Sequence, residues 1–258
     1  MFDFIQTMFW PLVACLLLAG IHVYLGIHVL ARQVIFVDLA LAQIAAFGSV
    51  VGILLGVEQK LLALGFALLG AAFFTLMQTE AFIGISYAVA LSATILASSH
   101  LPHGADELRE LLSGNILWVE PEVLAYSAGL YAIIGLLHWV FRKQFLAASF
   151  RTQSVSRWWD FAFYASFAFV VTSSVSIAGV LLVFCYLVIP AVAAMTLVQG
   201  VKNRLILGWL IGGLVSCIGV IVSYYLDLPS GPAIVICFAA FLVLALGVSA
   251  CRSKQMFS

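Results

Sequence analysis

A chain of 258 residues that is 65% hydrophobic and only 9% charged is far more apolar than a soluble domain, which runs at about 45–50% apolar and about 25% charged residues. The composition excludes a soluble enzyme and, at about 20 apolar residues per crossing, allows about eight to ten transmembrane helices and no separate catalytic domain. Eleven basic and eleven acidic residues cancel to a formal net charge of zero, so the chain as a whole offers no electrostatic reason to bind nucleic acid.

Apolar runs without charge fall at residues 10–31, 39–57, 61–78, 81–99, 123–141, 161–177, 179–199, 205–226 and 232–250, each near the length of one crossing. They predict an all-α integral membrane protein: a polytopic bundle of nine helices forming one domain, 1–258. An eight-span version with a re-entrant segment near residues 161–199 is the alternative. The first run carries Asp3 in place of a basic flank and is too long for a signal peptide, so it is expected to stay in the mature protein.

Ionisable groups in these runs are few. His22 and His28 lie in the first, Asp38 opens the second, Glu80 opens the fourth and His138 falls near the end of the fifth. His22 and His28 are six residues apart and point to different helix faces, so they do not form an i, i+4 metal pair. Asp38 and Glu80 each sit at an expected helix N-terminus, where a carboxylate also serves as a cap for the dipole. The five cysteines, Cys15, Cys185, Cys217, Cys237 and Cys251, form no C-x-x-C pair and argue for neither a zinc centre nor a disulfide framework.

Two loops are long enough for structure of their own. The first, 100–122, contains a helical stretch at 105–112 stopped by Ser113-Gly114-Asn115, with a second break at Pro121, and predicts a short amphipathic helix on the outer surface. The second, 142–160, holds four cations and the pair Trp158-Trp159, which suits a headgroup layer. Lys and Arg are retained on the cytoplasmic side. With the N-terminus outside, nine crossings place Arg32, Arg142, Lys143, Arg151, Arg157, Lys202, Arg204, Arg252 and Lys254 inside, and only Lys60 and Arg109 outside. Asp3, Glu58, Asp106, Glu107, Glu110, Glu120, Glu122 and Asp227 then fall outside, with His100 and His103. Such an anionic face raises the local concentration of cations.

A pump needs an energy source, yet the sequence has no Gly-Lys dipeptide and therefore no G-x-x-x-x-G-K-[ST] phosphate loop. ATP hydrolysis is expected in a partner, or the chain is a proton- or sodium-coupled carrier. An intramembrane hydrolase built on Ser86 lacks any supporting Gly-x-Ser-x-Gly or His-Glu-x-x-His motif.

Four stretches in chain order, GIHVLARQVIFVDLALAQIAAFGSVVGILLG, LLSGNILWV (111–119), SSVSIAGVLLVFCYLVIPAVAAMTL (173–197) and YYLDLPSGPAIVI, resemble the membrane permease subunit of metal-ion ABC importers, the ABC-3 family. The resemblance implies a homodimer in a bacterial cytoplasmic membrane, importing zinc, manganese or iron. It also implies an ATP-binding cassette ATPase beneath the permease, a metal-binding solute-binding protein above it, and no permanently bound cofactor. It places the segment that couples to the ATPase at 191–204, following Pro190 and including Ala191, Ala193 and Ala194. The family pattern sets an aspartate and a histidine four residues apart on the second span. Aligned on Gly48, those positions hold Leu39 and Gln43, with Asp38 one residue early. The expected ion path is therefore Asp38, Gln43, His28, His22 and Glu80. A siderophore-type permease is the nearest alternative.

Overall fold

The computed structural model describes residues 2–114, 116–153 and 156–255. The side chains of Asp3, Glu107, Glu110, Cys251, Arg252 and Lys254 lie outside the described residues.

The described chain is helical: α1 (Phe2–Arg32), α2 (Val37–Leu55), α3 (Gln59–Leu76), α4 (Glu80–Ser98), α5 (Gly104–Ser113), α6 (Pro121–Val140), α7 (Arg142–Phe150), α8 (Arg157–Leu197), α9 (Val201–Leu226) and α10 (Ser230–Gln255). A single 3-10 turn, Ile116–Trp118, joins α5 to α6. Eight of these helices are long and apolar enough to cross a membrane; α5 and α7 are the two short ones. α5 is the surface helix expected in the outer loop, and Pro121 starts α6, where its missing N–H costs nothing.

α8 is not a single straight span. Its 41 residues span about 61 Å if straight, twice the thickness of a hydrocarbon core. At Gly179 the backbone leaves the helix with φ 74 and ψ 162, and the chain turns back. Phe163 lies beside His28, 5.8 Å between ring centroids, while the Leu187 carbonyl and Ala191 press on Gly26. Residues 163 and 187 of a straight helix would be about 36 Å apart, so both can meet one end of α1 only if the halves of α8 run antiparallel. α8 therefore forms two arms, and with the seven other long helices the described residues hold nine apolar helical segments. Their limits follow the nine apolar runs. Pro190, a residue type that usually breaks or kinks a helix, lies inside a helix that continues to Leu197, and the break falls at Gly179 instead.

This reversal needs glycine twice over. A Cβ on Gly179 would come within 2.3 Å of the Gly114 nitrogen, and one on Gly114 within 2.1 Å of the Ala178 carbonyl carbon. Both residues have positive φ, which only glycine adopts without strain. The two backbones thus clasp at one end of the bundle. α8 is the central element, packing on α1, α2, α3, α9 and α10, and Phe163, Tyr164, Phe167 and Tyr186 fill its inner faces with almost no exposure. Leu61, Leu69, Ile85, Ile133, Leu136, Leu214 and Ile236 point outward, as expected of side chains facing lipid.

Candidate ion path and coupling segment

Asp38 lies in the first turn of α2 and is buried, 1% exposed, with neither carboxylate oxygen hydrogen-bonded. It does not cap its own helix. Gln43, also on α2, is equally buried, and its Oε1 has no donor. The two leave α2 about 140° apart, so one chain does not aim both at one point. Glu80 does act at a helix start, but on a neighbour: its Oε1 accepts the Phe36 N–H, the N-cap nitrogen of α2, at 3.0 Å, while Oε2 is unpartnered. Buried oxygens without donors are costly, and four of them gather on these three residues. Each is a buried acceptor that no hydrogen-bond donor reaches.

His22 packs apart from the other two, whereas the His28 and His138 rings lie 6.3 Å apart between centroids. The His22 Nδ1 bonds to its own helix at the Leu18 carbonyl (2.9 Å), leaving Nε2 unpartnered. The His28 Nδ1 lies 2.8 Å from the Ser149 hydroxyl, again with Nε2 unpartnered. His138 is fully engaged: Nδ1 meets the Tyr24 hydroxyl at 3.2 Å, Nε2 meets Ser166 at 2.9 Å, and its ring stacks on Phe145 at 3.8 Å. Ser166 gives its proton to the Phe163 carbonyl, so it accepts from His138 Nε2–H, which assigns the tautomer by network logic. Among the described residues, no three His, Cys, Asp or Glu side chains come together closely enough to hold a metal ion within one chain.

Sequence reasoning missed a polar cluster beside these histidines. Arg32 pairs with Asp160 at 2.6 Å with only 5% of its side chain exposed. It also donates to Ser149 at 2.9 Å and lies over the Phe163 ring at 4.3 Å. Gln78 donates to the other Asp160 oxygen at 3.0 Å. The cluster ties α1, α7, α8 and the α3–α4 connection at one end. Its sequence signal was a lone acid, Asp160, among cations at the end where Arg32 stops.

The segment expected to couple divides in two. Pro190, Ala191, Ala193 and Ala194 are buried within the bundle, and Ala191 touches the position where a Gly26 side chain would be. The exposed part follows: Thr196, Leu197, Gln199, Gly200, Lys202 and Asn203. Its turn is fixed by Asn203 Nδ2 donating to the Gln199 carbonyl and Arg204 Nε to the Val198 carbonyl, both at 3.2 Å. At the opposite end of the bundle, His100 Nδ1 bonds to the Leu96 carbonyl at 3.1 Å. His103 and Asp106 stand 4.0 Å apart in solvent, each side chain 84% exposed.

The model of the ABC 3 transport family matches residues 4–249. A "Probable iron transport system membrane protein" of Haemophilus influenzae is 32% identical over 155 residues, which span 58% of this chain and 57% of that protein. The "Probable metal transport system membrane protein" of Chlamydia pneumoniae is 26% identical over 90% of this chain and 84% of its own length. The manganese import system permease protein ScaB of Streptococcus gordonii is 23% identical over 95% and 91%. Among solved structures, PsaBC from Streptococcus pneumoniae in complex with Fab has the same fold, with a TM-score of 0.80 at 22% identity and 95% of both chains covered. A structure described as an inward-facing metal-chelate type ABC transporter reaches a TM-score of 0.68 at 15% identity, covering 96% of this chain and 88% of its own.

Proposed function

Because this chain belongs to the ABC 3 transport family, we propose that it is the membrane-spanning permease subunit of an ATP-binding-cassette importer that carries a divalent metal ion, zinc, manganese or iron, into the bacterial cytoplasm. The family match over residues 4–249 carries the reading. The manganese and iron names of its relatives support the metal.

The working unit is two copies of the chain with two ATPase subunits and a metal-binding solute-binding protein. The end bearing Arg32, Arg142, Lys143, Arg151, Arg157, Lys202 and Arg204 is the cytoplasmic one, since cations resist translocation. α5 and the acids around it then face outward, where the binding protein docks and where a negative potential gathers cations. On the cytoplasmic side the exposed turn at 196–203 contacts the ATPase. Pro190, Ala191, Ala193 and Ala194 transmit its movement, because they run from that turn to Ala191, which packs on α1 at Gly26.

In transit the cation sheds water and needs replacement oxygens. Asp38 is the main ligand, since both its oxygens are buried and free; Gln43 and His28 are secondary, with Glu80 and His22 flanking them. The test is uptake of radiolabelled zinc, manganese and iron by cells carrying Asp38→Asn, Gln43→Ala or His28→Ala at matched membrane levels. The reading predicts the largest loss, about tenfold or more, for Asp38→Asn. Unchanged uptake of all three metals in that variant removes Asp38 from the path.

A further inference from the structure

α2 and α4 start side by side, and neither is capped by the residue that precedes it. Phe36, before α2, has no side-chain acceptor, and Thr79, before α4, makes no capping bond. The first N–H groups of a helix have no partner within it, and two helix starts at one place bring two positive dipole ends together. One carboxylate serves both. Glu80 is the first residue of α4, and its Oε1 accepts the Phe36 N–H at 3.0 Å. α2 and α4 pack directly on each other, so this bond fixes one helix start against the other. Asp38 follows Phe36 by two residues, buried and with neither carboxylate oxygen hydrogen-bonded. Its place is therefore set by the backbone that carries it and by packing. That backbone is tied a second time: Arg32, which ends α1, pairs with Asp160 at 2.6 Å, and Gln78 donates to the same carboxylate at 3.0 Å. The connections 33–36 and 77–79 are thus joined through Asp160 and through Glu80.

We propose that Glu80 is a positioning residue for Asp38: by capping α2 from the neighbouring helix, it holds the main carboxylate of the ion path where a divalent cation meets it. The inference rests on the importer reading above and adds to it what keeps the ligand in place. What the role needs is an acceptor oxygen at the right reach. Glutamine presents that oxygen without the charge, aspartate keeps the charge one methylene too short, and alanine presents neither. The other oxygen, Oε2, meets no donor, so an amide in its place breaks no existing bond. Removing a group that orients a metal ligand without touching the metal costs about 10–100-fold in metal affinity.

The order of these three variants separates positioning from ligation. The experiment is equilibrium binding of radiolabelled zinc(II), manganese(II) and iron(II) to the permease assembled with its ATPase, without the solute-binding protein, so that the permease's own affinity is read. Glu80→Ala and Glu80→Asp are each expected to raise the half-saturating concentration about tenfold, and Glu80→Gln to recover most of that loss. A rise in Glu80→Gln as large as in Glu80→Ala overturns the proposal, because the charge itself, as in a ligand, then carries the effect. An unchanged midpoint in both Glu80→Ala and Glu80→Asp, or no saturable binding by the unsubstituted complex, overturns it as well. Where Glu80→Ala fails to insert, Glu80→Gln against Glu80→Asp decides by the same order.

Transport supplies the second arm. With rates divided by the amount of inserted permease, uptake of the same three metals by cells is expected to follow the same order, glutamine above aspartate and alanine. A loss in Asp38→Asn with no loss per inserted permease in Glu80→Ala or Glu80→Asp overturns the positioning role while leaving the importer reading intact. That reading falls separately, if Asp38→Asn transports every metal normally.

Discussion

Arg32 shows how a charge can be held inside an apolar bundle. Its ion pair with Asp160, the bond to Ser149 and the Phe163 ring beneath it replace part of the water it gave up, leaving Nη2 buried without a hydrogen bond. Removing one partner of a buried pair strands the other, at a cost of about 3–5 kcal/mol, whereas replacing both by apolar groups is often neutral. Arg32→Met should therefore lower the thermal unfolding midpoint of the purified protein well below that of the double variant Arg32→Met/Asp160→Leu. A double variant that is no more stable than the single one would show that the pair is not organised in this way. The same scale explains why the site was only partly legible in the sequence. Asp38, Gln43 and the histidines stand out as polar residues in apolar runs, and their burial follows from that. Their partners do not stand out: Ser149 beside His28 and Ser166 beside His138 come from distant segments, and only packing brings them together.

The α8 reversal is the element on which the topology depends. Nine apolar segments were readable because hydrophobic length is set by the bilayer. The turning point was less so, since Pro190 is the more conspicuous helix breaker and Gly179 sits among apolar residues. Tight packing around Pro190 tolerates its missing N–H, as in other membrane helices, while the clasp at Gly179 tolerates no Cβ. Gly179→Ala is expected to abolish stable insertion or assembly, whereas Gly65→Ala, with open space around its Cβ, should behave as wild type; detergent-extracted yield and size-exclusion profile distinguish the two. Normal yield from Gly179→Ala would contradict the clasp. The coupling segment makes a similar division. Ala194→Glu buries a charge where there is no exposure and should prevent folding. Gln199→Glu lies on the exposed turn and should leave the protein inserted but reduce transport. If Gln199→Glu transports normally while Ala194→Glu folds, the exposed turn is not the coupling surface.

At the scale of the whole molecule, seven described cations lie at the end formed by Arg32 and α7, and Lys60 and Arg109 at the other. Single cysteines at Ser113 and Thr152, in a background without native cysteines, should react with an impermeant thiol reagent from opposite sides of the membrane, Ser113 from outside. Labelling of both positions from one side would rule out the nine-pass arrangement. The central claim is that ATP hydrolysis in a partner drives a metal ion through this chain. It is tested most directly by reconstituting the permease with its ATPase and solute-binding protein in liposomes and following entry of radiolabelled zinc, manganese and iron. The account predicts uptake of at least one metal that requires ATP and all three components; uptake by the permease alone, driven by a proton or sodium gradient without ATP, would contradict it.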